Sequence, residues 1–190
     1  MTTKTREPAR DRIMRSATDL FYAHGIRGVG IDRIIAESGV AKATLYAHFR
    51  SKDDLVLAFL RQADEKWQAM LREAAAAVGD DPREQLVGLY DAVEMASDDH
   101  GRYRGCAFIN TAGESLPGTP VHEATVKHKR AVRDWVGELA AAAGAPDPEL
   151  LARQLTILLD GVMSAAAVEP VPEIVPAARE AARAIVDRSF

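Results

Sequence analysis

Residues 31–55 read IDRIIAESGVAKATLYAHFRSKDDL. Two runs in this stretch, IDRIIAES and KATLYAHF, have the composition and spacing of short helices, and GVA separates them. Gly39 supplies the positive φ that a tight turn between them needs. Ile31, Ile34 and Ile35 are expected to face inward, with Val40 and Leu45 closing a small core. Ser51 is positioned to cap the next helix, and Asp53 and Asp54 favour its first turn. Two short helices joined by a Gly-containing turn are the helix-turn-helix signature, whose second helix enters the DNA major groove. That second helix carries Lys42, Thr44, Tyr46 and His48, in a chain with only 6% aromatic residues.

Outward from this segment, nearly everything reads as helix. Ile13, Ala17, Leu20, Phe21 and His24 form an amphipathic stripe before it, with Pro8 in the first turn and Gly25 at the end. After it, Val56, Phe59, Leu60, Ala63, Trp67, Met70, Leu71 and Ala74 keep helical spacing until VGDDP breaks the pattern. A helix follows Pro82, carrying Leu86, Leu89, Tyr90, Val93 and Met95. SDDHGRYRG reads as a loop, and CAFINTAGESL as a short helix stopped by Pro117, Gly118 and Pro120. Residues 121–143, the stripe Leu151, Leu155, Leu158, Val162 and Ala166, and residues 177–188 complete an all-α fold of about nine helices.

Composition narrows the class. Hydrophobic residues make up 47% of 190, enough for a core. No window approaches the roughly 20 apolar residues that span a bilayer, so no membrane association is expected. The first dozen residues carry charges without an apolar stretch behind them, so no signal peptide is expected there. Cys106 is the single cysteine, which excludes an intrachain disulfide and a cysteine metal cluster and points to a reducing cytoplasm. Residues 1–52 hold ten Lys/Arg against five Asp/Glu in a chain of net charge −4, so a basic first quarter is joined to an acidic remainder. That asymmetry suits a first part that faces a polyanion.

The ordered run Gly39-Val40, Thr44-Leu45-Tyr46, His48-Phe49 and Ser51-Lys52-Asp53-Asp54-Leu55, with LFYAHG at residues 20–25, resembles the DNA-binding region of TetR-family transcriptional repressors. The likeness covers roughly residues 8–60. It implies a helix-turn-helix domain over residues 1–52 and a larger helical effector-binding and dimerisation domain over 53–190. It also implies that Lys42, Ala43 and Thr44 approach base edges or nearby phosphates, that Tyr46 contacts phosphate, unless its ring simply packs with the hydroxyl at the rim, and that Lys52 contacts backbone. For His48, DNA contact and packing against a neighbouring helix both stay open. Three positions depart from the family pattern: Gly30 where Thr or Ser usually caps the second helix, Ile35 for Ala, and Ala41 for a frequent Ser.

The resemblance further implies a cytoplasmic homodimer that reads a palindromic double-stranded DNA operator and is released by a small-molecule effector. The last two helices are the dimer candidates, through Leu151, Leu155, Leu158 and Val162 against Ile174, Ala178, Ile185 and Val186, with an intramolecular core as the alternative for half of them. Pocket candidates are the large groups Trp67, Met70, Tyr90, Met95, Phe108, Trp135 and Met163, each also readable as plain core. Asn110 and Glu114 share a helical face, where they either fix a polar ligand group or cap a short helix. His122 and His128 do not share a face, and Asp98, Asp99 and His100 read as a solvated loop, so no metal is expected, nor any cofactor. The alternatives to an effector-responsive repressor are a DNA-binding protein of the same fold without an effector, and a small α-helical enzyme. The enzyme reading meets no nucleophile–base pair, phosphate loop or metal-ligand spacing.

Overall fold

The structure is a computed structural model that describes residues 7–98 and 103–190. Asp99 and His100 lie outside the described residues. Among the described residues there are ten helices and no strand: α1 (Ala9–Gly28), α2 (Ile31–Ser38), α3 (Lys42–His48), α4 (Lys52–Ala77), α5 (Pro82–Gly88), α6 (Asp91–Met95), α7 (Ala107–Glu114), α8 (Pro120–Ala142), α9 (Pro148–Ala165) and α10 (Val171–Asp187). The chain forms two compact units, one of residues 1–63 with 107–125, the other of 64–106 with 126–190.

The first unit is built on the stripe expected for α1: Ile13, Ala17, Leu20 and Phe21 are buried. Helix α1 packs on α2 and α3, and Ile34 of α2, Leu45 of α3, and Leu55, Val56, Phe59 and Leu60 of α4 are buried in the same unit. Phe59 is the aromatic hub, with ring centroids 5.5 Å from Phe21 and 5.3 Å from Tyr22, the latter edge-on. Ile31 and Ile35 are only half-buried, so Ile34 alone anchors α2 fully. Gly39 ends α2 in the left-handed region (φ 62°, ψ 33°), and its N–H donates to the Ile35 carbonyl at 3.1 Å. Ser51 caps α4 by accepting from the Asp54 N–H at 3.0 Å, while Asp54 reaches back to the Arg50 N–H at 3.1 Å.

The regular part of α1 stops at Gly25, whose φ of 72° and ψ of 163° interrupt the helix before its last turn. The carboxylate of Glu114, on α7, accepts from the Arg27 N–H at 2.6 Å. A backbone donor freed by the kink is thus satisfied by a side chain 87 residues away.

In the second unit α10 packs on α9, α5 and α6. Arg183 forks onto both carboxylate oxygens of Glu84 at 2.5 Å, and Arg179 pairs with Asp91 at 3.1 Å. The single helix expected after Pro82 is two. Gly88 is buried so closely that an added Cβ would stand 2.8 Å from Val78. Just beyond it the backbone changes to three-residue bonds, Leu89 O to Ala92 N and Tyr90 O to Val93 N. Of the eight dimer-seam candidates, five take the intramolecular alternative. Leu151, Leu155, Val162, Ala178 and Val186 are buried within the chain itself. The outward face of α9 is Leu150, Ile157 (66% exposed) and Gly161, followed past the helix end by Val168 (83%).

Candidate nucleic-acid interface

Helix α3 has seven residues and no side-chain cap, because Ala41 stands at its N-cap. Such a helix is marginal on its own, and two apolar groups four apart hold it in place. Leu45 is fully buried, and Phe49, just past the C-terminus, is buried under the Arg10 guanidinium, 5.5 Å from its ring centroid. With that face occupied, Lys42, Ala43, Tyr46 and His48 turn outward, Tyr46 at 43% exposure, and Thr44 is half-buried beside them. Lys52, at the start of α4, is half-buried. All six sequence candidates therefore belong to one short helix and the first residue after its turn.

His48 is exposed rather than enclosed by a neighbouring helix, its ring 6.5 Å from that of Phe49. Around α3 the structure adds groups that sequence reasoning missed. Asp32, in the first turn of α2, receives Lys42 Nζ at 3.3 Å. Arg33 donates to His24 Nε2 at 2.7 Å, and Arg12 donates to the Gly39 carbonyl at 3.4 Å. The ten-residue separation of Asp32 and Lys42 has no local signature, since their approach depends on the turn geometry at Gly39.

The pocket candidates are dispersed. Phe108, Asn110 and Glu114 lie on α7 in the first unit, Phe108 buried and Asn110 exposed, with Glu114 bound to Arg27. In the second unit Tyr90 is fully buried, and its hydroxyl donates to the Leu155 carbonyl at 2.9 Å. Burial raises its phenol well above the ordinary value. Met70 is half-buried, and Trp135 lies 5.3 Å under the Arg72 guanidinium. Met95 is partly exposed. Trp67 and Met163 do come together, as walls of a cavity of about 230 Å³ that also borders His128, Lys129, Arg133 and Arg153.

His128, buried on α8, donates from Nδ1 to Asp64 at 2.6 Å, and Asp64 also accepts from Gln68 at 2.9 Å. Desolvation lowers the His128 pKa below its ordinary 6.5 despite the opposing pull of Asp64, so the ring is neutral at pH 7. Lys129 is paired with Asp160. Sequence reasoning weighed His128 only against His122, because its actual partner lies 64 residues away.

A buried trihelical core that exposes the polar face of its third, seven-residue helix defines a DNA-binding protein of the helix-turn-helix class. Residues 13–59 match the family described as bacterial regulatory proteins, tetR family, and residues 120–189 match the tetracyclin repressor-like C-terminal domain. The chain is 36% identical to SCO4454, a TetR-family transcriptional regulator from Streptomyces coelicolor, over 95% of each chain, with a TM-score of 0.86. It is 26% identical to the HTH-type transcriptional regulator YjdC of Escherichia coli, over 82% of this chain and 81% of that one. It is also 32% identical to the HTH-type transcriptional repressor Rv3405c of Mycobacterium tuberculosis, over 55% of this chain and 49% of the relative. The chain belongs to the TetR family of transcriptional regulators. No helix among the described residues is long and apolar enough to cross a membrane.

Proposed function

We propose that this regulator is a cytoplasmic repressor that binds a palindromic operator as a homodimer and leaves it when a small molecule binds the second unit. The observation that carries the DNA reading is the division of α3 and its flanks into a buried Leu45–Phe49 face and an outward Lys42–Ala43–Tyr46 face. Lys42, Ala43 and Thr44 read base edges; Tyr46, His48 and Lys52 hold phosphates and set register. Residues 1–52 act as the reading head, and residues 53–190 carry effector binding and dimerisation. Dimerisation is supported by the outward apolar face of α9, which continues on α10 with exposed Ala177, Ala181 and Ala184, small enough for close helix approach. Two recognition helices in such a dimer read half-sites roughly 34–36 Å apart. Support for an effector is the cavity walled by Trp67 and Met163, and support for repression is the likeness to Rv3405c.

The test is selection of bound fragments from genomic DNA, followed by retardation of the recovered site. The expected result is a palindromic site whose affinity falls steeply with salt and is lost in the Lys42→Ala, Tyr46→Ala double variant. Equal binding by parent and double variant sinks the assignment of α3. Transcription of the neighbouring gene rises on deletion of a repressor, and a fall instead identifies an activator.

A further inference from the structure

The cavity beside Trp67 holds an uneven set of charges. Lys129 and Asp160 compensate each other as an ion pair, and His128 is neutral, which leaves its partner Asp64 as one negative charge behind the wall against two arginines. Arg133 on α8 and Arg153 on α9 remain, and among the described residues no carboxylate pairs with either. The helices that carry them touch closely: a Cβ on Gly137, one turn after Arg133, would meet the Ala152 Cβ, next to Arg153, at 3.8 Å. Two like charges therefore line one cavity whose apolar floor is buried Trp67, Val132, Leu159 and Met163, with half-buried Thr156 and exposed Ile157 at its rim. Low-dielectric walls of this kind focus a positive potential, and a guanidinium matches a carboxylate in fork geometry.

Size narrows the choice. A cavity of about 150 Å³ accommodates benzene, and this one, at about 230 Å³, leaves room for a ring and a short acidic arm. We propose that the effector is a small amphipathic organic anion, an aryl or short acyl carboxylate whose apolar part lies on Trp67 and Met163 and whose carboxylate is held by Arg133 and Arg153. The assignment rests on the effector reading above and adds the chemical class.

The test is titration calorimetry of the full-length protein with 3-phenylpropionate and with its uncharged isostere, 3-phenylpropanamide. The acid is expected to bind at least tenfold more tightly than the amide. Arg133→Gln and Arg153→Gln each weaken the acid about tenfold and leave the amide unchanged; both arginines are at least partly exposed, so the variants keep the fold, which circular dichroism checks. Absence of acid binding at millimolar concentration, equal binding of acid and amide, or indifference to both arginine variants overturns the assignment. Operator retardation in the same solutions separates the two claims. Acid that binds through the arginines without releasing DNA supports the anion site and removes the effector reading. A neutral compound that releases DNA while the acid fails to bind does the reverse.

Discussion

Replacing Gly25 with alanine tests the contact between α1 and α7 at atomic detail. The backbone there, φ 72° and ψ 163°, lies in a region that is essentially glycine-only, and a side chain held in it costs about 1–3 kcal/mol. A Cβ at this position would stand 2.3 Å from Glu114 Oε1 and 3.0 Å from Cδ, so the carboxylate has to leave. Its departure forfeits the bond from the Arg27 N–H. That bond is charge-assisted but open to solvent, which puts it near the low end of its class, about 1.5 kcal/mol. Gly25→Ala is thus expected to destabilise by about 2.5–4.5 kcal/mol. Glu114→Ala alone removes only the bond, and in its background Gly25→Ala adds only the backbone penalty. The two losses therefore fall short of additivity by about 1.5 kcal/mol. Urea denaturation at fixed protein concentration reads all four corners of the cycle, with the m-value as a check on the transition. A Gly25→Ala cost below about 1 kcal/mol, or strict additivity with Glu114→Ala, refutes the reasoning.

Other outcomes follow from the same geometry. Because burial holds His128 below 6.5 in the folded chain, the unfolded chain binds more protons between that depressed value and 6.5, and stability falls as pH drops through this window. His128→Gln flattens that part of the pH–stability curve, and superimposable curves for parent and variant contradict the buried neutral ring. Ala41→Ser supplies the cap that α3 lacks, at φ −70° and ψ 149°, and is expected to add about 1 kcal/mol, or about 2–4 °C in thermal melting. An unchanged or lower melting point rules out the cap. Ile157→Arg is expected to yield monomers in sedimentation equilibrium with the helical spectrum intact. Leu151→Ala instead lowers unfolding stability by about 2–5 kcal/mol, and the opposite pattern reverses the assignment of the two faces of α9.

How far the sequence could be read depended on the range of the interactions involved. The helix-turn-helix was legible because Gly39, Leu45, Phe49 and Ser51 act over four residues or fewer: a left-handed cap, an i, i+4 anchor and an N-cap. Helix α9 stayed ambiguous between dimer seam and core because it is apolar on two faces. Leu151, Leu155, Leu159 and Val162 share one seam and Leu150, Ile157 and Gly161 the other, and periodicity alone does not say which is turned inward. The break between α5 and α6 comes just after Gly88, whose close approach to Val78 is a tertiary contact with no local sign. For the cavity, size and polarizability picked out Trp67 and Met163 along with Tyr90, whose hydroxyl is committed to a backbone carbonyl. Arg133 and Arg153 drew no notice, because a surface arginine on a helix is ordinary until its neighbours are known.

The bond from Arg27 to Glu114 also bears on how regulators of this kind can be recombined. A hybrid that joins the first 52 or 63 residues of this chain to a foreign effector domain removes the acceptor on which the last turn of α1 depends. The transplantable head is a discontinuous piece, residues 1–63 together with 107–125. A biosensor assembled at a single splice point inherits an Arg27 amide without its carboxylate partner, beside a glycine held at positive φ. Grafting both segments, or re-creating a carboxylate opposite residue 27 in the recipient, keeps the reading head intact.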